Sequence, residues 1–307
     1  MHKDRAVRVL SLHTCYGRYM RIGIIAGLES KTVEDELVPA ARARGHVCEV
    51  IQFPLIDISQ FNEEMVAQDL RLYDVLYYRT GLGPIGALFL RKYLAHHNLI
   101  AVNLGPDTHV SGEIKSFQVL RAARAGVRLA RTIVNRTGTY KDVRALLGVP
   151  FVAKPDNGSQ GKGVVLVDSE ESFDALDTEV GEAERIYQEF IPHACDYRVH
   201  IVGGKAVAAY SRVSAPEEFR TNVSQGGAMC PIEETARAEL YALAENINKV
   251  FGYDIAAIDF LVHKNTGELC FGEVNSNPGW EESDAEATGV DMTTLVLDYL
   301  ESLGVRA

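Results

Sequence analysis

Two stretches near the end of the chain decide the fold: Ile255–His263 (IAAIDFLVH) and Glu268–Asn275 (ELCFGEVN). The four residues between them, KNTG at 264–267, favour a reverse turn because Asn and Gly tolerate positive φ. Both stretches are apolar enough for buried strands. The pattern therefore predicts an antiparallel β-hairpin.

Three oxygen-bearing side chains interrupt this apolar hairpin. Asp259 lies in an apolar run, where a carboxylate is unusual unless it is exposed, paired or bound to a metal. Glu273 and Asn275 are two residues apart and point to one face, and folding the hairpin places Asp259 opposite Gly272 or Glu273. Such oxygen ligands suit Mg²⁺ or Mn²⁺, so we expect a metal site at Asp259, Glu273 and Asn275. The alternative is a solvated face on which the carboxylates never meet.

Composition narrows the class of protein. The 307 residues are 47% apolar and 24% charged, which is enough for a large core and for more than one domain. The formal charge of −11 disfavours nucleic acid and anionic membranes as partners. The five cysteines are scattered without a CxxC pair, which argues against a disulfide framework or a zinc site. Without a membrane-length apolar run or a signal peptide, we expect a cytoplasmic protein.

The first hundred residues differ in pattern from the rest. Residues 1–19 form an N-terminal extension, and strands then alternate with helices over 20–106, which predicts a small α/β domain with a parallel sheet. One predicted helix, near Thr32 to Arg44, contains Pro39, so it either begins late or kinks there. Beyond a boundary near residue 107, hairpins and covering helices predict an α+β architecture.

Two of the covering helices are predicted from apolar spacing. One is Glu113–Ala125, with Ile114, Phe117 and Leu120 on one face and a glycine after it. The other is Glu233–Phe251, which ends at Gly252. Its apolar residues are Leu240, Leu243, Ala244, Ile247 and Val250.

A glycine-rich turn follows a strand that contains a lysine. Lys154 lies in FVAKP at 151–155, and a buried ammonium group needs an anionic partner. Backbone N–H groups of the turn could hold phosphate oxygens. Lys115, on the helix before this strand, could join them. The alternative is an ordinary hairpin turn with Lys154 reaching solvent. The turn candidates are Gly158, Ser159, Gly161 and Gly163.

Two further stretches offer polar groups for a nucleotide. The strand at 187–191, YQEFI, runs into Pro192, and its backbone there can imitate a base pair for adenine; a plain edge strand is the alternative. Asp196 and Arg198 lie on one face of the next strand. The alternative is that they form a surface ion pair of little energetic value. Arg220 and Asn222 stand near a glycine pair and could hold a transferring phosphoryl group, unless they belong to a mobile loop.

Together these stretches resemble the ATP-grasp superfamily and, within it, the RimK-like glutamate ligases. The resemblance runs from about Met20 to about Leu303. It is carried by VAKPDNGSQGKGVVLV at 152–167, YQEFI at 187–191, CDYRVHIVGGKAVAA at 195–209, EFRTNVSQGGA at 218–228, AAIDFLV at 256–262, GEVNSNPG at 272–279 and TGVDMTTLVLDYLES at 288–302.

The resemblance implies an α/β N-terminal domain followed by an α+β ATP-grasp fold. Its two lobes, 107–187 and 188–307, would clasp ATP between antiparallel sheets. Lys115 and Lys154 would meet the phosphates under the glycine loop. Adenine would be held by Glu189, Phe190 and Ile191, and the ribose by Asp196, beside Arg198.

The resemblance also implies a catalytic set. The hairpin oxygens would bind two Mg²⁺ or Mn²⁺ ions, and Arg220 would face the transferred phosphoryl group with Lys154 and Asn222. On the substrate side, Arg79-Thr80-Gly81 roughly matches a RimK segment, and Asn277 is a second candidate.

The function implied is an ATP-dependent ligase that joins a carboxylate to an amine through an acyl phosphate. Glutamate addition to a peptide or protein tail, amino-acid ligation and natural-product assembly all stay open. An ATP-grasp kinase that does not ligate and a nucleotide-binding regulatory module with decayed catalysis are the alternatives. We expect a homo-oligomer.

Overall fold

In the computed structural model of the protein, the described residues are 19–26, 30–52, 70–79, 83–104, 114–134, 138–158, 162–176, 184–213 and 228–304. Most of the predicted N-terminal extension lies outside these ranges. So do four site candidates: Ser159, Gly161, Arg220 and Asn222. No helix in the described part is both long enough and apolar enough to cross a membrane.

The N-terminal domain contains a four-stranded parallel sheet of order β2-β1-β3-β4, as the alternating pattern predicts. A π-helical segment at Thr32–Leu37 runs directly into α1, and Pro39 lies in the first turn of α1. The predicted irregularity at Pro39 thus coincides with the change of helix type. The elements are β1 (Arg21–Ile25), α1 (Val38–Ala43), β2 (Val47–Ile51), β3 (Val75–Tyr78), α2 (Gly83–His96) and β4 (Ala101–Val102).

The central lobe is built on an antiparallel sheet of order β6-β9-β7-β8. Aromatic side chains of Tyr140, Phe151, Phe173 and Tyr187 pack together beneath it. The elements of this region are α3 (Lys115–Ala122), β5 (Arg128–Leu129), β6 (Thr132–Val134), α4 (Tyr140–Leu147), β7 (Phe151–Pro155), β8 (Val165–Val167), α5 (Glu170–Asp174) and β9 (Arg185–Glu189).

The C-terminal lobe is a six-stranded sheet of order β12-β11-β10-β13-β14-β5. Its edge strand β5 pairs parallel with β14, although β5 precedes the whole central sheet in sequence. The remaining elements are β10 (His193–Val202), β11 (Lys205–Val213), β12 (Ala228–Pro231), α6 (Glu234–Phe251), β13 (Ile255–His263), β14 (Leu269–Asn275), α7 (Glu282–Thr288) and α8 (Met292–Gly304).

The two faces of this six-stranded sheet differ in character. One face is apolar and packs against α6, which ends at Gly252 in the left-handed conformation that the sequence predicts. The other face carries alternate polar residues, because successive side chains of a strand point to opposite sides. Helix α8 returns to the N-terminal sheet, where Val296 and Leu300 pack against Ile22 and Ile24. The candidate site residues lie on this polar face, where Asp196, Arg212 and Asp259 are buried.

Candidate active site

The hairpin that carries the predicted metal ligands forms with the predicted register. Asp259 pairs with Glu273, and Ala257 pairs with Asn275, so the three oxygen-bearing side chains share one face. The register shifts after this pair and leaves Gly272 as the extra residue of a β-bulge. A Cβ on Gly272 would stand 3.0 Å from the backbone oxygen of Asp259, so glycine permits this close approach. Asp259 is buried, so the alternative of a solvated face is wrong for this carboxylate.

Two arginines hold Asp259. Arg198 donates from Nε to Oδ1 and from Nη2 to Oδ2, both at 2.8 Å, and Arg212 donates from Nη2 to Oδ2 at 2.8 Å. Arg212 also grips Asp196 with bonds of 2.7 and 2.5 Å. These four side chains are largely buried, so the arrangement is an internal network and differs from the surface ion pair that sequence alone allows.

This network keeps Asp259 ionised. Burial alone would raise the pKa of Asp259, but the Arg198 and Arg212 guanidiniums outweigh it and hold that pKa well below its usual range. An ionised carboxylate has about four lone-pair positions. The three arginine bonds leave about one of them, on Oδ1, for a further ligand.

The donor set fits a hard divalent cation. Two carboxylates and one amide oxygen are ligands that Mg²⁺ takes, with phosphate oxygens and water completing its shell. Across the described ranges, no three His, Cys, Asp or Glu side chains gather as they would for a site made by protein alone. Asp259, Glu273 and Asn275 would therefore hold the metal together with the nucleotide.

A turn directly after β14 orients Asn275, the third predicted metal ligand. The backbone N–H of Asn277 donates to Oδ1 of Asn275 at 3.1 Å, which fixes the amide of Asn275. The Oδ1 of Asn277 is itself buried and has no hydrogen-bond partner among the described residues. The substrate assignment of Asn277 stays a prediction, and this unpartnered acceptor supports it.

Lys154 faces the hairpin from the central lobe. It is half-buried on β7. Burial lowers the pKa of Lys154 to about 8; Glu273 on the opposite lobe acts to raise it and nearby Lys115 to lower it. Lys154 on the central lobe and Glu273 on the C-terminal lobe are therefore close enough for their charges to interact.

The start of α3 is tied to the glycine-rich turn. The Lys115 ammonium group donates to the carbonyl of Gly158. Asp156 accepts from the backbone and hydroxyl of Ser116 at 2.7 and 2.6 Å. Lys115, Lys154 and Gly158 thus lie together. Gly163, the last glycine of the turn, has the positive φ of 70° that glycine favours.

The predicted adenine segment lies where β9 leaves the central sheet. The Glu189 backbone N–H donates to the carbonyl of Arg131 at 2.9 Å, so this residue ends the strand pairing. Phe190 follows, and Ile191 is buried with its carbonyl 2.6 Å from Nδ1 of His193. Adenine binding by these residues stays a prediction.

Asp196 and Arg79 both make contacts within the protein that stabilise the fold. Both oxygens of Asp196 accept from Arg212, which competes with the predicted ribose contact. Arg79 is buried between the rings of Tyr77 and Trp280 and donates to the carbonyl of Pro278 at 2.8 Å. Arg79 thus joins the N-terminal domain to the loop after β14. Both ligand roles stay predictions.

Sequence reasoning missed two residues of this site. Arg212 pairs directly with Asp196 across the β10–β11 hairpin, so the predicted hairpin could have revealed it. The side-chain amide of Asn103 donates to the carbonyls of Ile255 and Ser276 at 2.7 and 2.9 Å. Asn103 therefore connects the N-terminal domain to both ends of the β13–β14 hairpin. Asn103 has a positive φ of 63°, which asparagine tolerates, but nothing else in the sequence around it indicates this conformation.

Comparison with known sequences gives a consistent result. A RimK-like ATP-grasp domain matches residues 110–300. A protein named probable alpha-L-glutamate ligase from Saccharophagus degradans is 31% identical over 300 residues, which covers 92% of this chain and 96% of that protein. Probable alpha-L-glutamate ligase 1 from Pseudoalteromonas atlantica is also 31% identical, over 301 residues.

Solved structures show the same fold at low sequence identity. D-alanine–D-alanine ligase from Bacillus anthracis, complexed with ATP, superposes with a TM-score of 0.69 at 17% identity and covers 94% of this chain. The ATP-grasp ligase PsnB, complexed with a variant of its minimal precursor, Mg and ADP, gives 0.68 at 15% identity over 92% of this chain. These likenesses establish an ATP-grasp fold.

Proposed function

Because the chain belongs to the RimK-like ATP-grasp family of ADP-forming carbon–nitrogen ligases, we propose that it joins a carboxylate to an amine through an acyl phosphate. The observation that carries this proposal is the pairing of Asp259 with Glu273 in the β13–β14 hairpin, with the Lys154 ammonium group close enough for its charge to interact with Glu273. Anionic oxygens on one lobe and ammonium groups on the other suit a metal–triphosphate complex between them.

The first step transfers the γ-phosphoryl group. An oxygen of the substrate carboxylate attacks the γ-phosphorus, the bond to the β–γ bridging oxygen breaks, and ADP leaves. Bound Mg²⁺, which we assign as two ions, supplies charge neutralisation on the phosphates. Lys115 and Lys154 bind the phosphates, and Arg220 with Asn222 faces the transferred group.

The second step forms the amide. The amine nitrogen attacks the acyl carbon, the bond from that carbon to the phosphate oxygen breaks, and the amine loses a proton as phosphate leaves. No protein nucleophile is needed, so positioning and electrostatics carry catalysis. Arg198 and Arg212 keep Asp259 ionised and fixed, which preserves the ligand geometry before nucleotide arrives.

Glutamate is the amino acid we assign first as a substrate. The similar proteins from two bacteria carry the name probable alpha-L-glutamate ligase. For the other substrate, we favour a peptide or protein tail. Two ATP-grasp enzymes of the same fold were solved with precursors, PsnB with its minimal precursor and the macrocyclase MdnC with the precursor peptide MdnA. Both assignments rest on these names and on the family.

The test is a screen of amino acids and peptides for phosphate release from Mg-ATP. We expect ADP and phosphate, slow turnover without an amine, and a hydroxamate when hydroxylamine replaces the amine. Phosphate transfer that ignores added amine would favour a kinase. A complete lack of turnover, with nucleotide still bound, would favour a regulatory module.

A further inference from the structure

The outer edge of β14 loses its strand partner just before the metal ligands. β5 pairs with β14 only at Cys270 and Phe271. Along the rest of that edge, no strand among the described residues continues the pairing. Val274, between Glu273 and Asn275, therefore needs another partner for its backbone groups.

The side chain of Gln118 on α3 supplies that partner. Its Nε2 donates to the Val274 carbonyl at 2.8 Å, and the Val274 N–H donates to its Oε1 at 2.9 Å. Gln118 is only 5% exposed. One buried carboxamide thus satisfies both backbone groups of Val274, as a neighbouring strand would.

The position of Val274 makes this contact relevant to the metal site. Glu273 and Asn275 flank it and project from the opposite face, while the Val274 side chain packs in the apolar core. A backbone fixed at Val274 fixes the directions in which both ligands leave the strand. The bulge at Gly272 makes the strand locally irregular, so such support is needed here.

The same helix contacts the phosphate side of the site. Lys115 and Ser116, one turn before Gln118, bond to Gly158 and Asp156 at the glycine-rich turn. α3 therefore connects the turn of one lobe to the metal strand of the other.

We propose that Gln118 is a positioning residue for the metal site, which it serves by holding Val274 between Glu273 and Asn275. The inference rests on the proposed metal ligands. Loss of a partner that orients metal ligands typically lowers metal affinity about 10–100-fold. A loss in this range is expected when Gln118 can no longer form hydrogen bonds.

The test compares Gln118→Met, which keeps the length of the side chain, with Asn248→Leu. Asn248 is also a buried carboxamide that donates to a backbone carbonyl, that of Tyr253, at 2.8 Å, but it lies on α6. Free Mn²⁺ is counted by electron paramagnetic resonance in the presence of ADP. We expect Mn²⁺ affinity to fall about 10–100-fold in Gln118→Met and to stay unchanged in Asn248→Leu. ADP affinity without metal stays unchanged in both, and amide exchange at Val274 accelerates only in Gln118→Met.

Each outcome separates this inference from the metal assignment itself. If Glu273→Gln leaves Mn²⁺ affinity unchanged, the metal assignment fails. The role of Gln118 is overturned if Glu273→Gln lowers Mn²⁺ affinity and Gln118→Met does not. It is also overturned if Asn248→Leu lowers Mn²⁺ affinity as much as Gln118→Met. Should Gln118→Met not fold, Gln118→Asn keeps a carboxamide that is one methylene too short to reach both backbone groups of Val274, and unchanged Mn²⁺ affinity there overturns the inference equally.

Discussion

Helices α3 and α6 both contact the C-terminal sheet, but they differ in whether their large apolar side chains are buried. α6 turns Leu240, Ala244 and Ile247 into the core, as its apolar spacing predicts. α3 leaves its apolar Phe117 and Leu120 exposed by 48% and 67% and buries Gln118 and the small Ala122. The sequence of α3 therefore gives a misleading apolar face.

The difference follows from what each helix contacts. α6 lies over side chains of the sheet, where burial of apolar area supplies the free energy. α3 lies against an open strand edge, where unpaired N–H and C=O groups require a polar partner. Apolar periodicity thus locates α6, whereas the buried amide of Gln118 lies outside the apolar spacing of α3 and satisfies the open edge of β14.

The largest effect on turnover is expected at β14, the strand that α3 contacts. Glu273→Gln keeps the shape of the ligand and removes its charge, so turnover should fall at least about 10²–10³-fold, as when one transition-state contact is lost. Its unfolding free energy should change little, because Glu273 is only half-buried, whereas Asp259 is the carboxylate that accepts the hydrogen bonds of the buried arginines. Steady-state phosphate release and urea unfolding measure the two effects.

Asp259→Asn provides the matched contrast for that variant. It removes the carboxylate that pairs with buried Arg198 and Arg212, so it should also destabilise the fold by about 3–5 kcal/mol. Wild-type turnover in Glu273→Gln, or equal stability of the two variants, would contradict the assignment.

The next effect tests the stabilising role of α6. Ile247→Ala should lower the free energy of unfolding by about 2–5 kcal/mol, because the side chain is fully buried and leaves a cavity. Mn²⁺ affinity of the folded variant should match wild type. Exposed Glu239→Ala on the same helix is the control, within about 0.5 kcal/mol of wild type. A selective loss of Mn²⁺ binding in Ile247→Ala would break the comparison.

A pH effect of intermediate size is expected at Lys154. Because burial lowers its pKa to about 8, ADP affinity without divalent metal should weaken as the pH rises through about 8 and the ammonium charge is lost. Isothermal titration from about pH 7 to 9 measures it. Lys154→Arg, which stays charged over this range, should show a flat profile. A flat wild-type profile would remove Lys154 from the phosphate site.

The smallest effect concerns the exposed side of α3. Phe117→Ser and Leu120→Ser should each change the free energy of unfolding by no more than about 0.5 kcal/mol, since both side chains face outward. Urea unfolding of the two variants beside Gln118→Met provides the check. A larger loss in either would show that this apolar face is covered, and α3 would then resemble α6.

The sequence predicted the β13–β14 hairpin and its register because a favourable turn and a two-residue period determine both. It also predicted the parallel first sheet and the bounds of α6 within a residue. It could not predict the contact of Gln118 with Val274 or of Arg79 with Pro278. These join distant segments through side chains whose local pattern looks like surface.

Oxygen transfer tests the proposed acyl phosphate most directly. With the carboxylate substrate labelled with ¹⁸O and its amine partner identified by the screen, the released phosphate is examined by ³¹P nuclear magnetic resonance. We expect ADP as the nucleotide product and one ¹⁸O atom from the carboxylate in each phosphate. Unlabelled phosphate, or AMP with pyrophosphate, would contradict the account.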